Sequence, residues 1–211
     1  MISLGLQRVE SMQVQQLDLA SLAQPRPILK WAGGKQQLLD TLLSMIPHTW
    51  KRYIEPFAGG AALFFALRPQ RAILADSNPD LVTLYQVVAS DVEGLIKLLR
   101  EMRNDRETFY TIRAMDPQTM SPVEQAARTI HLNKTCYNGL YRVNRKGQFN
   151  VPFGNYKNPV ICDADNLRVA SFALQRAHIT HGDFRTVLRE YAEPGDLQAV
   201  PKQQVENEPA L

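Results

Sequence analysis

The stretch Tyr53-Ile54-Glu55-Pro56-Phe57-Ala58-Gly59-Gly60-Ala61-Ala62-Leu63-Phe64-Phe65 decides the fold. Tyr53 and Ile54 read as a short strand, Gly59 and Gly60 as a tight turn, and Ala61 to Leu67 as an apolar helix. A strand running through a glycine turn into a helix is how a doubly wound α/β sheet opens a nucleotide-type binding site. Glycine lets the backbone turn sharply and lets a ligand approach where a Cβ would clash. The turn is neither Gly-x-x-x-x-Gly-Lys-Ser/Thr nor Gly-x-Gly-x-x-Gly. It therefore predicts neither a phosphate loop nor a dinucleotide fingerprint. Taken alone, it also fits a plain structural corner.

Upstream, Ile28 to Lys35 predicts an extended segment entering a second Gly-Gly turn. A helix from Gln36 to about Met45 follows, with Leu38, Leu39, Leu42 and Leu43 on one side, and Pro47 ends it. By themselves, Trp31 and Lys35 fit a core aromatic and a surface charge. Downstream, Ala72 to Ala75 predicts a second strand ending in Asp76. An acid about 20 residues beyond the first turn is where doubly wound folds hold ribose hydroxyls. The plainer alternative is that Asp76, Ser77 or Asn78 caps the next helix.

Pro79 opens that helix, which covers the sheet through Leu81, Val82, Leu84, Tyr85, Val87 and Val88. Asp91 to Met102 is amphipathic, Phe109 to Met115 is a short helix, and Ser121 with Glu124 forms a capping box for a helix reaching Leu132. Asp163 to Ala177 predicts a further helix. His178 to Phe184 predicts a third strand ending in Gly182-Asp183, so Asp183 faces the same crevice as Asp76. His178 and His181 lack the spacing and company of metal ligands and read as structural.

Between Glu124 and Asp163 no acid occurs. Arg128, Lys134, Arg142, Arg145, Lys146 and Lys157 fall there, interleaved with Tyr137, Tyr141, Phe149, Phe153 and Tyr156 and with asparagines from Asn133 to Asn158. Periodicity is lost, and the turn residues predict a β-hairpin, Tyr141 to Val151, around Arg145-Lys146-Gly147. Cations find phosphates, asparagine and arginine read base edges, and an aromatic tip wedges between bases. A solvated basic surface is the bland reading. Charge segregation together with aromatics and amides favours nucleic acid.

The chain of 211 residues suits one domain, or one with an insertion, and its 45% apolar and 21% charged content is that of a globular protein. No apolar run is long enough for a bilayer, and no signal core precedes the fold, so export is not expected. Cys136 and Cys162 predict reduced thiols in a cytoplasmic protein. The net charge of +3 matters less than its distribution.

Together these segments resemble the Dam-like adenine-N6 DNA methyltransferases, the class alpha or D12 type. The matching blocks are Leu29 to Lys35, Glu55 to Gly60, Ala75 to Asn78, Tyr137 to Asn144, Gly147 to Gly154 and His181 to Phe184, in the family's order from about Pro27 to Asp196. The resemblance implies an α/β fold, a Rossmann-like S-adenosylmethionine-dependent methyltransferase sheet with a helical and hairpin DNA-recognition insertion. It implies S-adenosylmethionine as cofactor and double-stranded DNA as partner, with no metal and no membrane; a monomer at the nucleoid is expected. Trp31, Lys35, Glu55, Phe57, Gly59, Gly60, Asp76, Asp183 and Phe184 are then expected at the cofactor. Tyr137 is expected to wedge into the duplex, and Lys30, Asn138, Leu140, Arg142, Asn144 and Pro152 to touch bases or phosphates. The target expected first is GATC.

The expected division is a flexible leader (1–26), a cofactor-binding α/β part (27–123), the DNA-recognition insertion (124–160), a return to the sheet (161–196) and a disordered or non-native tail (197–211). The exocyclic amine of adenine is a poor nucleophile, and such enzymes act on a flipped base. The family supplies acceptors to that amine from an Asp-Pro-Pro-Tyr motif, expected just after Glu193-Pro194-Gly195-Asp196. No Pro-Pro occurs in this sequence. The expectation is an incomplete sheet, no catalytic residue of that motif, and little or no turnover by this chain alone, through a lost frame or a truncation. A DNA-binding remnant without catalysis and a poorly folded pseudogene product are the rival readings.

Overall fold

A computed structural model describes residues 24–32 and 38–200. Most of the predicted leader, the turn Gly33-Gly34-Lys35, the predicted start of the following helix at Gln36 and Gln37, and the chain from Pro201 lie outside the described residues.

Strands β1 (Tyr53–Glu55), β2 (Ala72–Asp76), β3 (Ala177–His181) and β4 (Leu197–Gln198) form one sheet in the order β3-β2-β1-β4. Every pairing is parallel, with Tyr53 opposite Ala72 and Leu197, and Asp76 opposite His181. Successive side chains on a strand point to opposite faces. Tyr53, Ala72 and Leu74 therefore enter the main core, while Ile54, Ile73 and Ala75 meet Val187 on the other side. A parallel sheet buried on both faces needs such continuous apolar strands.

The helices are α1 (Leu39–Ser44), α2 (Ala62–Leu67), α3 (Pro79–Ser90), α4 (Val92–Glu101), α5 (Arg106–Ala114), α6 (Pro122–Thr135), α7 (Ala164–Leu174) and α8 (Phe184–Tyr191). Pro79 stands at the first turn of α3 with Asn78 as its N-cap, and Ser121 with Glu124 closes the predicted capping box on α6. Phe64, Phe65, Leu81, Leu84 and Tyr85 fill the main core with Ala126, Ala127 and Ile130 of α6. On α1 the predicted apolar side divides. Leu39 and Leu42 pack on the core, whereas Leu38 and Leu43 are exposed. None of the described helices is long and apolar enough to cross a membrane.

One expectation needs correction, the disorder of the tail at its first residues. Leu197 and Gln198 pair with β1, Leu197 N–H donates to Arg52 O (2.8 Å), and Ala199 N–H donates to Ile54 O (2.8 Å). The Asp196 carboxylate is locked to the Arg52 guanidinium at 2.8 Å, and that pairing holds it below the usual carboxylate range. A two-residue outer strand needs only free backbone groups and an inward Leu197 and Ala199. The last ladder bond among the described residues is made by Ala199, so no proline falls within this strand. The first turns of α6 pack into the main core through Ala126, Ala127 and Ile130. A separate cluster begins at Leu132 and Cys136 and joins Phe109 and Ile112 of α5 to Phe149 and Val151.

The predicted hairpin is a reverse turn with one antiparallel bridge, Val143 to Phe149, and bonds from Asn144 N–H to Gln148 O and Asn150 N–H to Arg142 O. Phe149 is buried, and Tyr141 and Phe153 pack against the same cluster. These three aromatics hold the insertion together; among its tyrosines, Tyr137 is 53% exposed.

His131 on α6 is fully buried, with Nε2–H donating to Arg103 O (3.0 Å) and Nδ1 unpartnered among the described residues. Burial pushes its pKa down. Below the ordinary histidine value of about 6.5 the unfolded chain therefore binds a proton that the folded chain refuses. Stability is fully present above that value and falls as the pH drops through it. Urea midpoints at about pH 7.5 and 5.5 are expected to show this loss, and His131→Gln, which keeps a donor for Arg103, is expected to reduce it.

Candidate functional site

The strand order reverses between β1 and β4, because the chain builds outward to β3 and then returns to the other side of β1. Ligands in open α/β sheets bind beyond the carboxyl ends of the strands at such a switch point. The residues leaving β1 there are Glu55 to Ala61. Glu55 is fully buried and accepts the Tyr53 hydroxyl at 2.8 Å. The Tyr85 hydroxyl donates to Gly59 O at 2.6 Å. Burial, and then the charge of Glu55, raises both phenol pKa values well above the ordinary value, so both stay protonated donors.

Gly59 has φ +48°, in the left-handed region that favours glycine. A Cβ there would lie 2.9 Å from Trp31 Cδ1, so the indole lies directly over the turn. Ala61 shares the left-handed conformation, with φ 53°. For a residue bearing a Cβ this costs about 1–2 kcal/mol, and the surrounding core holds it.

Asp76 and Asn78 divide the roles that the sequence left open. Asn78 caps α3 by accepting Asp80 N–H at 3.0 Å. Asp76 instead ties the two strand ends together. Its Oδ2 accepts Gly59 N–H and its Oδ1 accepts Asn78 N–H, each at 2.9 Å. A carboxylate offers about four lone-pair sites, so each oxygen keeps acceptor capacity for a ligand. β3 is drawn to the same rim by Gly182 N–H donating to Asp76 O (3.2 Å). Beyond it, Asp183 caps α8 and is exposed, and the Phe184 ring lies 5.0 Å from that of Phe57. The structure thus gathers Trp31, Glu55, Phe57, Gly59, Gly60 and Asp76, with Asp183 and Phe184 at the rim. Lys35 lies outside the described residues.

The insertion's candidates form a second group. Asn133 clamps it to the segment before Trp31. It accepts Lys30 N–H (3.0 Å) and donates to Lys30 O (2.8 Å) and Gly139 O (2.9 Å). Gly139 has φ +64°, and a Cβ there would lie 2.7 Å from Lys30 Cδ, so the lysine stem runs across the turn. Lys30 Nζ sits 5.3 Å from the Tyr156 ring centroid. Tyr137, Asn138, Leu140, Arg142, Asn144 and Pro152 are all exposed. Arg142 is braced by Asn150 at 2.7 Å, and Asn144 is engaged in the hairpin turn through Lys146 N–H, Gln148 N–H and Gln148 Oε1.

The basic run of the sequence is not one surface. Arg128 is 5% exposed and donates to the carbonyls of Ile112 and Arg113, and burial pushes its pKa down. Lys134 is half-buried, with the same effect. The outward cations are Lys30, Arg142, Arg145, Lys146 and Lys157. Sequence reasoning also missed Tyr53, Tyr85 and Asn133 as site-building residues. Tyr85 shares a helix face with Leu81, Leu84 and Val88, so its apolar spacing conceals the hydroxyl.

The family model of the D12 class N6 adenine-specific DNA methyltransferases matches residues 31–197. The chain is 42% identical over 183 residues to "Type II methyltransferase M.MjaIII" of Methanocaldococcus jannaschii, covering 77% of this chain and 63% of that protein. It is 41% identical over 180 residues to "Type II methyltransferase M1.LlaDCHI" of Lactococcus lactis subsp. cremoris, covering 82% and 63%. It is 38% identical over 144 residues to the "DNA adenine methylase" of Escherichia coli K12, covering 66% and 51%. The chain spans 51% to 63% of the length of these curated relatives.

Proposed function

Because the chain belongs to the D12 class of N6 adenine-specific DNA methyltransferases, we propose that its switch-point crevice holds S-adenosylmethionine and that its insertion grips double-stranded DNA for methylation of adenine N6. The observation that carries the donor reading is the Asp76 carboxylate, which receives Gly59 N–H and Asn78 N–H beneath the Trp31 ring. S-adenosylmethionine is a sulfonium with a ribose diol and no phosphate. The half-buried Asp76 carboxylate repels phosphate and accepts hydroxyl and ammonium donors, so the residues fit the group. Asp76 would take the ribose hydroxyls, with Trp31, Phe57 and Phe184 as apolar walls; the bound donor supplies an electrophilic methyl.

The DNA reading rests on Tyr137 and Leu140 standing exposed beside Arg142, with Lys30 held against the same turn. An exposed aromatic wedge beside cations and amides is the equipment for entering a duplex and reading base edges. GATC is the proposed target, on the Tyr137-Asn138-Gly139-Leu140 and Arg142 features.

Transfer further requires acceptors on the adenine amine, which draw N6 toward tetrahedral geometry as it attacks. Residues 1–211 contain no Pro-Pro and so no Asp-Pro-Pro-Tyr. A chain of these residues is therefore expected to bind donor and duplex yet transfer little. The check is tritium counting on a GATC duplex after incubation with methyl-labelled donor, beside a gel shift. Robust incorporation would overturn the expectation of little transfer. A shift without incorporation, lost on Tyr137→Ala, supports it and favours a binding module over an enzyme for this stretch of chain.

A further inference from the structure

Between the two groups of candidates stands one residue assigned to neither. Leu140 has extended backbone, and side chains alternate about it. Leu140 and Arg142 point outward, and Tyr141 between them points in. Its ring lies 5.1 Å from that of Trp31, and its hydroxyl donates to Asp80 Oδ2 at 2.7 Å and lies 3.4 Å from Asn78 Oδ1. The segment it touches is arranged the same way, since Lys30 is exposed and Trp31, next to it, lies over the Gly59 turn. Asp80 and Asn78 open α3 immediately after Asp76.

We propose that Tyr141 is a positioning residue that couples DNA recognition to methyl-donor binding, by holding Trp31 on the glycine turn when the recognition segment is seated. The inference rests on the donor and DNA readings above. The path is short. A duplex that seats Leu140 and Arg142 fixes the residue between them. The Asp80 hydrogen bond fixes the Tyr141 hydroxyl to the start of α3. The ring then confines Trp31, which forms the lid of the Gly59–Gly60 turn. Burial, and then the Asp80 charge, raises the Tyr141 pKa, so the hydroxyl remains a donor. Buried Arg128 acts electrostatically on both Asp80 and Tyr141, so the carboxylate does not face the interior uncompensated. Each ligand thereby places the residues that the other needs. By linkage the two must strengthen each other's binding by the same factor.

The test is the dissociation constant of S-adenosylmethionine for the chain, by calorimetry, with and without a saturating GATC duplex. The unaltered chain is expected to gain about fivefold or more in donor affinity when DNA is present. Tyr141→Phe keeps the ring and loses the hydroxyl; it is expected to remove most of that gain while changing donor affinity without DNA far less. Asp80→Ala reaches the same bond from its other end and is expected to do the same, the double variant being no worse than either single. Tyr110→Phe, outside both groups, is expected to keep the full gain. Trp31 emission, read in a Trp50→Phe background, is expected to shift on DNA addition and to lose the shift in Tyr141→Phe. Equal gains in the unaltered chain and Tyr141→Phe, or no gain in the unaltered chain, would overturn the coupling and leave the donor site standing. Failure of the unaltered chain to bind the donor at all would instead overturn the donor reading, and the coupling with it.

Discussion

Asp76→Ala is expected to weaken binding of S-adenosylmethionine by about tenfold to a hundredfold, since hydrogen bonds to a charged group contribute about 1.5–3 kcal/mol. Two losses combine. On the proposed reading the ribose hydroxyls lose their charged acceptor, and Gly59 N–H and Asn78 N–H lose the carboxylate that joins them. The second loss matters because Gly59 is held in the left-handed region under Trp31. Water can replace Asp76 at these partly exposed amides, so the cost to stability is expected to be small beside the loss of affinity. The measurement is the donor dissociation constant by calorimetry, with the thermal midpoint as control. An affinity within about twofold of the unaltered chain, roughly 0.4 kcal/mol, would exclude Asp76 from the donor site.

The second large effect is on DNA. Arg145 and Lys146 form the exposed tip of the hairpin, away from the second apolar cluster. Reversing both to glutamate changes the tip charge without touching Phe149 or Val151. Each phosphate contact contributes about 0.9 to the slope of log K against log salt. Arg145→Glu with Lys146→Glu is therefore expected to weaken duplex binding by at least about tenfold at low salt and to flatten that slope by about two. Donor affinity without DNA is expected to stay as it was. Fluorescence anisotropy of a labelled duplex across a salt series reads both quantities. An unchanged slope would remove the hairpin tip from the DNA surface.

The parallel α/β fold was legible because its signals are local. Apolar Tyr53-Ile54 and Ala72 to Ala75, the Gly59–Gly60 turn, and the caps Asn78 and Ser121 each declare an element without reference to the rest of the chain. β4 was not legible, because Leu197-Gln198 has too few residues to display a period and exists through its pairing with β1. The basic run was misread in part for the same reason. Arg128 and Lys134 look like Arg145 and Lys146 in composition, and only the packing of α6 decides which are covered. Leu38 and Leu43 erred in the opposite direction, since an apolar stripe does not specify which of its members finds a partner.

The position of Asp76 was legible and its wiring was not. An acid at the end of β2 is a positional signal, whereas its bonds to Gly59 N–H and Asn78 N–H come from the way two strand ends meet. Tyr141 sat among aromatics that read as one class. Three of them build the insertion's core, Tyr137 stands out in solvent, and Tyr141 alone among them reaches Trp31 and Asp80.

The most direct test of the donor site is a calorimetric titration of S-adenosylmethionine into the unaltered chain, with ATP titrated under the same conditions. One-to-one saturable binding of the sulfonium, and none of the triphosphate, is the predicted result. Binding of ATP in place of S-adenosylmethionine, or of neither, would contradict it.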